Sequence, residues 1–203
     1  MRLIGRSRTD LRADPADRTD TGDRPQHDRL VDEFRLREPG EQAHPVAGGD
    51  EPDPAANPKF RHKLDFLDEM GAHAGLRPEK AQRAILVGDL NVAPLEHDVW
   101  SHKQMIKVVS HTPVECEKLV AAQKSGGWID SMRVLTPEPE KLYTWWSYRA
   151  MDNWRASDRG RRLDHVWTSD ALADRVSAIK IGKNYRGAKR PSDHVPVTAT
   201  IEL

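Results

Sequence analysis

Nearly everything in this 203-residue chain that could build a packed core lies after residue 44. Residues 1–44 carry nine arginines and no lysine, offset by seven aspartates and three glutamates. Their apolar residues occur singly, with neither period 2 nor period 3.6, so the segment cannot bury enough surface to offset the entropy of ordering it. Two readings stand for it: a disordered N-terminal extension, or a wrong-frame translation of GC-rich DNA. Because the acids cancel the arginines, a nucleic-acid-binding arm fits poorly.

From Pro45 onward the local signals agree with one another. Asn57 can cap a helix with Pro58 in its first turn and Phe60, Leu64 and Leu67 on one face, and Gly71 fits just past its end. Ala84–Val87 reads as a short buried strand broken by Gly88. Thr112-Pro113-Val114-Glu115 is a capping box whose helix ends at Gly126-Gly127. Tyr143–Tyr148, Leu163–Trp167 and Ile179–Ile181 are further β-prone runs. The alternation of Val197, Ala199, Ile201 and Leu203 with Thr198, Thr200 and Glu202 predicts a terminal strand with one buried face. Strands and helices mix without strict βαβ alternation, which predicts an α/β layered sandwich with a mostly antiparallel sheet.

Composition narrows the function classes. No apolar run approaches the roughly 20 residues of a membrane span, and residues 1–15 lack the apolar core of a signal peptide. Cys116 is the single cysteine, which excludes an internal disulfide and a cysteine-built zinc site. A cytoplasmic, monomeric protein is the expectation.

Residues of catalytic type follow the predicted strands at three places. In Gly88-Asp89-Leu90-Asn91 a carboxylate and a carboxamide two residues apart point the same way, as general base and oxyanion donor, or else as an Asx turn closing the strand. In Gly160-Arg161-Arg162-Leu163-Asp164-His165 an acid lies within an apolar strand and needs a partner, for which a histidine is the usual choice. In Pro191-Ser192-Asp193-His194-Val195-Pro196 an Asp–His pair sits between prolines. His suits acid–base work at neutral pH, and nearby carboxylates suit a hard cation such as Mg²⁺.

These motifs, with Gly88–Pro94, Tyr143–Arg149, Asp158–Asp164 and Pro191–Pro196 in that order, make residues 45–203 resemble the exodeoxyribonuclease III group of the endonuclease/exonuclease/phosphatase superfamily. The resemblance implies a DNase I-like layered α/β sandwich, with the motifs belonging to its second half. The fold is therefore expected to be incomplete, lacking the glutamate ligand, asparagine and tyrosine that the first half would supply. It implies hydrolysis of phosphodiesters at abasic sites and 3′ ends of double-stranded DNA, with Mg²⁺ or Mn²⁺. Carried over residue by residue, Asp89 orients the water or protonates the leaving group, Asn91 stabilises the transition state, Asp164 orients the catalytic His194, and Asp193 is metal-associated. Asp89, Asn91, Asp193 and His194 form the implied metal set, and Trp146, Arg149 and Arg162 the implied DNA contacts. Two alternatives remain: an inactive fragment serving as a DNA-binding or interaction module, and a phosphatase acting on a small phosphoester.

Overall fold

The structure is a computed structural model that describes residues 52–148 and 154–202. The segment 1–44 and Arg149 lie outside the described residues. The elements run α1 (Pro58–Ala72), β1 (Ile85–Asp89), α2 (His102–Met105), α3 (Pro113–Ser125), β2 (Ile129–Asp130), α4 (Ser131–Leu135), β3 (Trp145–Trp146), α5 (Trp154–Ser157), β4 (Gly160–Arg161), β5 (Asp164–Thr168), β6 (Val176–Ile181) and β7 (Val197–Ile201).

Both long helices start as their sequence signals require. The Asn57 side chain accepts the backbone N–H groups of Lys59 and Phe60 at the head of α1, which buries Phe60, Leu64, Leu67 and Met70. Glu115 accepts from the backbone N–H and hydroxyl of Thr112 at the head of α3, and Gly126 with Gly127, at φ +68°, ends it. Gly71 departs from expectation, because it lies inside α1 rather than beyond it. A Cβ there would stand 3.2 Å from the Cα of Ala122, so glycine is what allows α1 and α3 to touch.

A three-stranded antiparallel sheet in the order β1-β5-β2 lies under this helix pair. Leu86 and Trp167 are register partners and join Leu67, Met70, Leu90, Leu119 and Ala122 in the main core. The next pair along, Val87 and Val166, points to the opposite face, as the two-residue period of a strand demands. There it meets Met132, Leu142 and the inward side chains Ile179, Ile181, Val197 and Ala199 of the antiparallel β6–β7 pair. The result is helices, sheet and second sheet in layers, the α/β sandwich that the pattern predicts. Alternation along β7 survives intact, with Thr198 and Thr200 exposed.

At one end of the central sheet the short pair β3–β4 is bridged to neighbouring loops, Val99 to Arg161 and Trp145 to His194. That end gathers the polar motifs.

Candidate active site

Strand β1 continues through Gly88 to Asp89, and β5 begins at Asp164; the two aspartates are register partners. Side chains directly opposite on antiparallel strands share a face, so the ladder alone brings both carboxylates together. His194 reaches them from the loop before β7, fixed by backbone bonds from Trp146 N–H to Asp193 O and from Val195 N–H to Thr144 O, both 2.9 Å. Its Nδ1 lies 2.9 Å from Oδ2 of Asp164 and its Nε2 3.7 Å from Oδ2 of Asp89. The buried hydroxyl of Thr144 accepts the N–H groups of Leu163 and Asp164 and so fixes the start of β5. Among the described residues, Asp89, Asp164 and His194 are the group whose ligand-type atoms all lie within 4.8 Å of one another.

Asn91 joins this group through its neighbour. Its backbone N–H donates to Oδ1 of Asp89 and its Nδ2 to Oδ2, both at 2.9 Å. The residue adopts φ +55°, a left-handed conformation that asparagine tolerates better than most residues. The Asx turn is therefore present, and it is what aims the Asp89 carboxylate.

The electrostatics separate the two acids. Burial raises Asp89 above the usual carboxylate range, with the like charge of Asp164 adding to it against the opposing pull of His194. The hydrogen bond to Asp164 raises His194 above the ordinary imidazole value, against the effect of its partial burial. The side chains of Asp89, Asp164 and His194 are 34%, 24% and 30% exposed, so water and a phosphate can reach them.

Two sequence expectations need correction. Trp146, expected against substrate, is 2% exposed and packs with Tyr143, Trp154 and Val195. Arg162, expected on phosphate, is fully buried: it grips Asp98 through Nε and Nη2 at 2.7 and 2.8 Å and Asp130 through Nη1 at 2.7 Å. Burial alone would raise the Asp98 carboxyl, but Arg162 and Arg133 more than offset it and hold the group below its usual range. Asp193 is in the right loop, but one of its oxygens accepts the indole N–H of Trp145 at 3.0 Å. What the sequence does not reveal is that the residues one position away from each misplaced one form a pair. Half-buried Trp145 and Arg161 are register partners on β3 and β4, with the guanidinium 4.9 Å above the indole ring.

The sequence matches the Endonuclease/Exonuclease/phosphatase family over residues 7–194, reaching into the segment that the motifs leave unmatched. The chain belongs to that family. It is 28% identical over 150 residues to the exodeoxyribonuclease III of Haemophilus influenzae, a span covering 70% of this chain and 54% of that protein. Its fold is shared with an AP endonuclease from Archaeoglobus fulgidus (TM-score 0.68, 26% identity, 72% of this chain and 56% of the other). It is shared too with a 3′ phosphatase from Neisseria bound to a product DNA hairpin (TM-score 0.58, 28% identity, 72% and 56%). The chain thus spans about half the length of these relatives.

The family implies a divalent cation, and the donor set fits one. Asp89 and Asp164 offer hard carboxylate oxygens, and with His194 their ligand-type atoms lie within 4.8 Å of one another. Among the described residues, no helix is long and apolar enough to cross a membrane.

Proposed function

We propose that the chain carries the chemistry of a DNA-repair nuclease that hydrolyses phosphodiesters of duplex DNA at abasic sites and 3′ ends. The observation that carries this reading is the arrangement of Asp164, His194 and Asp89, in which one imidazole is oriented by one carboxylate while its far nitrogen faces another.

Asp164 accepts from Nδ1–H of His194, which fixes the ring and leaves Nε2 toward the open side. The hydrogen bond to Asp164 favours the charged form of the ring, in which Nε2–H can donate to a phosphate oxygen as negative charge builds there. Asp89, made a better base by burial, takes the proton of the attacking water, and the two N–H groups of Asn91 hold it in line. Mg²⁺ or Mn²⁺ held beside this acidic cluster would supply positive charge at the phosphate. In this reading His194 serves the phosphate. Asp193 positions Trp145.

Trp145 and Arg161 take the place of Trp146 and Arg162 as the substrate-facing pair, since half-buried Trp145 is bridged to His194 and its indole can offer ring surface to a displaced sugar or base. Mg²⁺-dependent cleavage of a duplex with one abasic site tests the proposal, with His194→Ala purified in parallel. Cleavage abolished by the substitution supports it. A folded wild-type chain that cuts neither abasic nor 3′-recessed duplex would overturn it.

A further inference from the structure

We infer that Lys63, His165 and His111 form a clamp on three consecutive carbonyls of the loop that carries Asp89 and Asn91, which makes them positioning residues for the site. For catalysis the inference rests on the nuclease reading above; as a statement about the loop it stands alone. β1 ends at Asp89, so no ladder holds the chain beyond it. Instead, Lys63 Nζ donates to the carbonyl of Asn91. His165 Nε2 donates to that of Val92 at 2.8 Å, and His111 Nδ1 to that of Ala93 at 2.6 Å. The three donors come from α1, from β5 and from the turn before α3. Backbone bonds from Leu90 N–H to Leu163 O and from Ala93 N–H to Ser110 O close the two ends.

Each donor is itself held from behind, and this separates a clamp from three incidental contacts. Lys63 is paired with Glu115, a fully buried carboxylate that also accepts from Ser110 N–H, Thr112 N–H and the Thr112 hydroxyl. Arg162 Nη1 faces His165 Nδ1 at 3.2 Å; since the guanidinium can only donate, the imidazole proton must sit on Nε2, aimed at Val92. The Nδ1–H of His111 is spent on Ala93, so its Nε2 must accept, and the Nδ1 of His102 lies 2.8 Å from it to donate. His165 and His111 are 1% and 2% exposed, whereas Asn91 itself is exposed. The loop therefore shows its side chains to solvent while the interior grips its backbone. A left-handed residue persists when its surroundings over-determine it, and small losses of alignment at a reacting centre are expensive.

The experiment is amide hydrogen exchange and steady-state kinetics on the full chain, comparing Lys63→Met, Lys63→Arg and His165→Phe. The clamp predicts exchange at the Asn91–Ala93 amides about tenfold faster in Lys63→Met and His165→Phe, with Val166 and Trp167 in β5 unchanged. Lys63→Arg should restore slow exchange. On abasic duplex with Mg²⁺, kcat should fall about tenfold in Lys63→Met with KM within about twofold. Unchanged exchange at the loop, or acceleration shared equally by β5, would overturn the clamp. If the wild type cuts no abasic DNA, the proposed function falls while the exchange arm still decides this inference.

Discussion

Asp89 and Asp164 stand opposite each other across the β1–β5 ladder, yet one imidazole treats them differently: Nδ1 of His194 is 2.9 Å from Asp164, and Nε2 is 3.7 Å from Asp89. The first distance is a hydrogen bond and the second leaves room for a group between. Two identical residues facing each other in register thus meet the same ring differently, one bonded to it and one standing off from it.

If Asp164 sets the charge of His194, Asp164→Asn should change the pH profile as well as the rate. His194 lies above its ordinary value because Asp164 accepts from it, so its charge is complete below the ordinary imidazole range and is lost as pH rises through the folded value. Removing the carboxylate lowers that folded value. The alkaline limb of kcat/KM on abasic duplex should therefore move to lower pH, with a rate loss of about 10²-fold. An unmoved limb would separate His194 from the titration.

Asp89→Asn should cost about 10²- to 10⁴-fold in kcat while circular dichroism and thermal midpoint stay close to wild type. The substitution removes a partly buried charge facing another carboxylate, so no loss of stability is expected from it. A fully active Asp89→Asn would remove this residue from the mechanism.

The two tryptophans of β3 should separate cleanly. Trp146→Ala empties a core position and is expected to cost about 3–5 kcal/mol in urea unfolding. Trp145→Ala should leave unfolding nearer to wild type and raise KM for abasic duplex, by an amount worth roughly 1–3 kcal/mol. The reverse pattern would return Trp146 to the substrate.

Arg162→Met should behave as a stability variant, not a binding one. It leaves the fully buried Asp98 carboxylate to Arg133 alone and takes a partner from Asp130, a loss of up to about 3–5 kcal/mol. Arg162→Lys should recover little, because one ammonium cannot reproduce the forked grip on Asp98. Equilibrium unfolding measures this. The salt dependence of DNA binding should be unchanged, and a shallower salt slope would place Arg162 on phosphate after all.

His165 gives the fold a dependence on pH. Burial and the adjacent Arg162 push its imidazole down from 6.5 to about 4. Between those values the unfolded chain binds a proton that the folded chain refuses, so stability is complete above pH about 6.5 and declines as pH falls toward 4. The full contribution is on the order of 3 kcal/mol. Urea midpoints from pH 7 to 4.5 should fall more steeply in wild type than in His165→Phe; parallel curves would contradict this.

Local signals made α1, α3 and β7 readable in the sequence, because a cap, a proline and a periodicity each act within a few residues. The two-residue strands β2, β3 and β4 have no period to read, and they exist only through their partners. At the site Asp89, Asn91, Asp164 and His194 were legible as motif residues at strand ends. The errors at Trp146 and Arg162 share one cause. A tryptophan pair and an arginine pair each put one member outward and one inward, and which is which depends on strand parity that only the Trp145–Arg161 register reveals. Asp98, 64 residues from Arg162, gave no local sign that it was the arginine's partner. Gly71 looked like a stop signal because its true neighbour, Ala122, is distant in sequence.

The loop from Leu90 to Ala93 has the carbonyls of Asn91, Val92 and Ala93 held by Lys63, His165 and His111 and its two end amides by backbone partners. A segment tied at every residue has no hinge, so it cannot swing aside to admit a large ligand. On the nuclease reading, the work of fitting would then fall on the nucleic acid, whose duplex would have to kink or unstack until its phosphate reached a fixed lip. A lesion without a base is the cheapest place for that distortion, so damage would be selected by how readily the DNA yields.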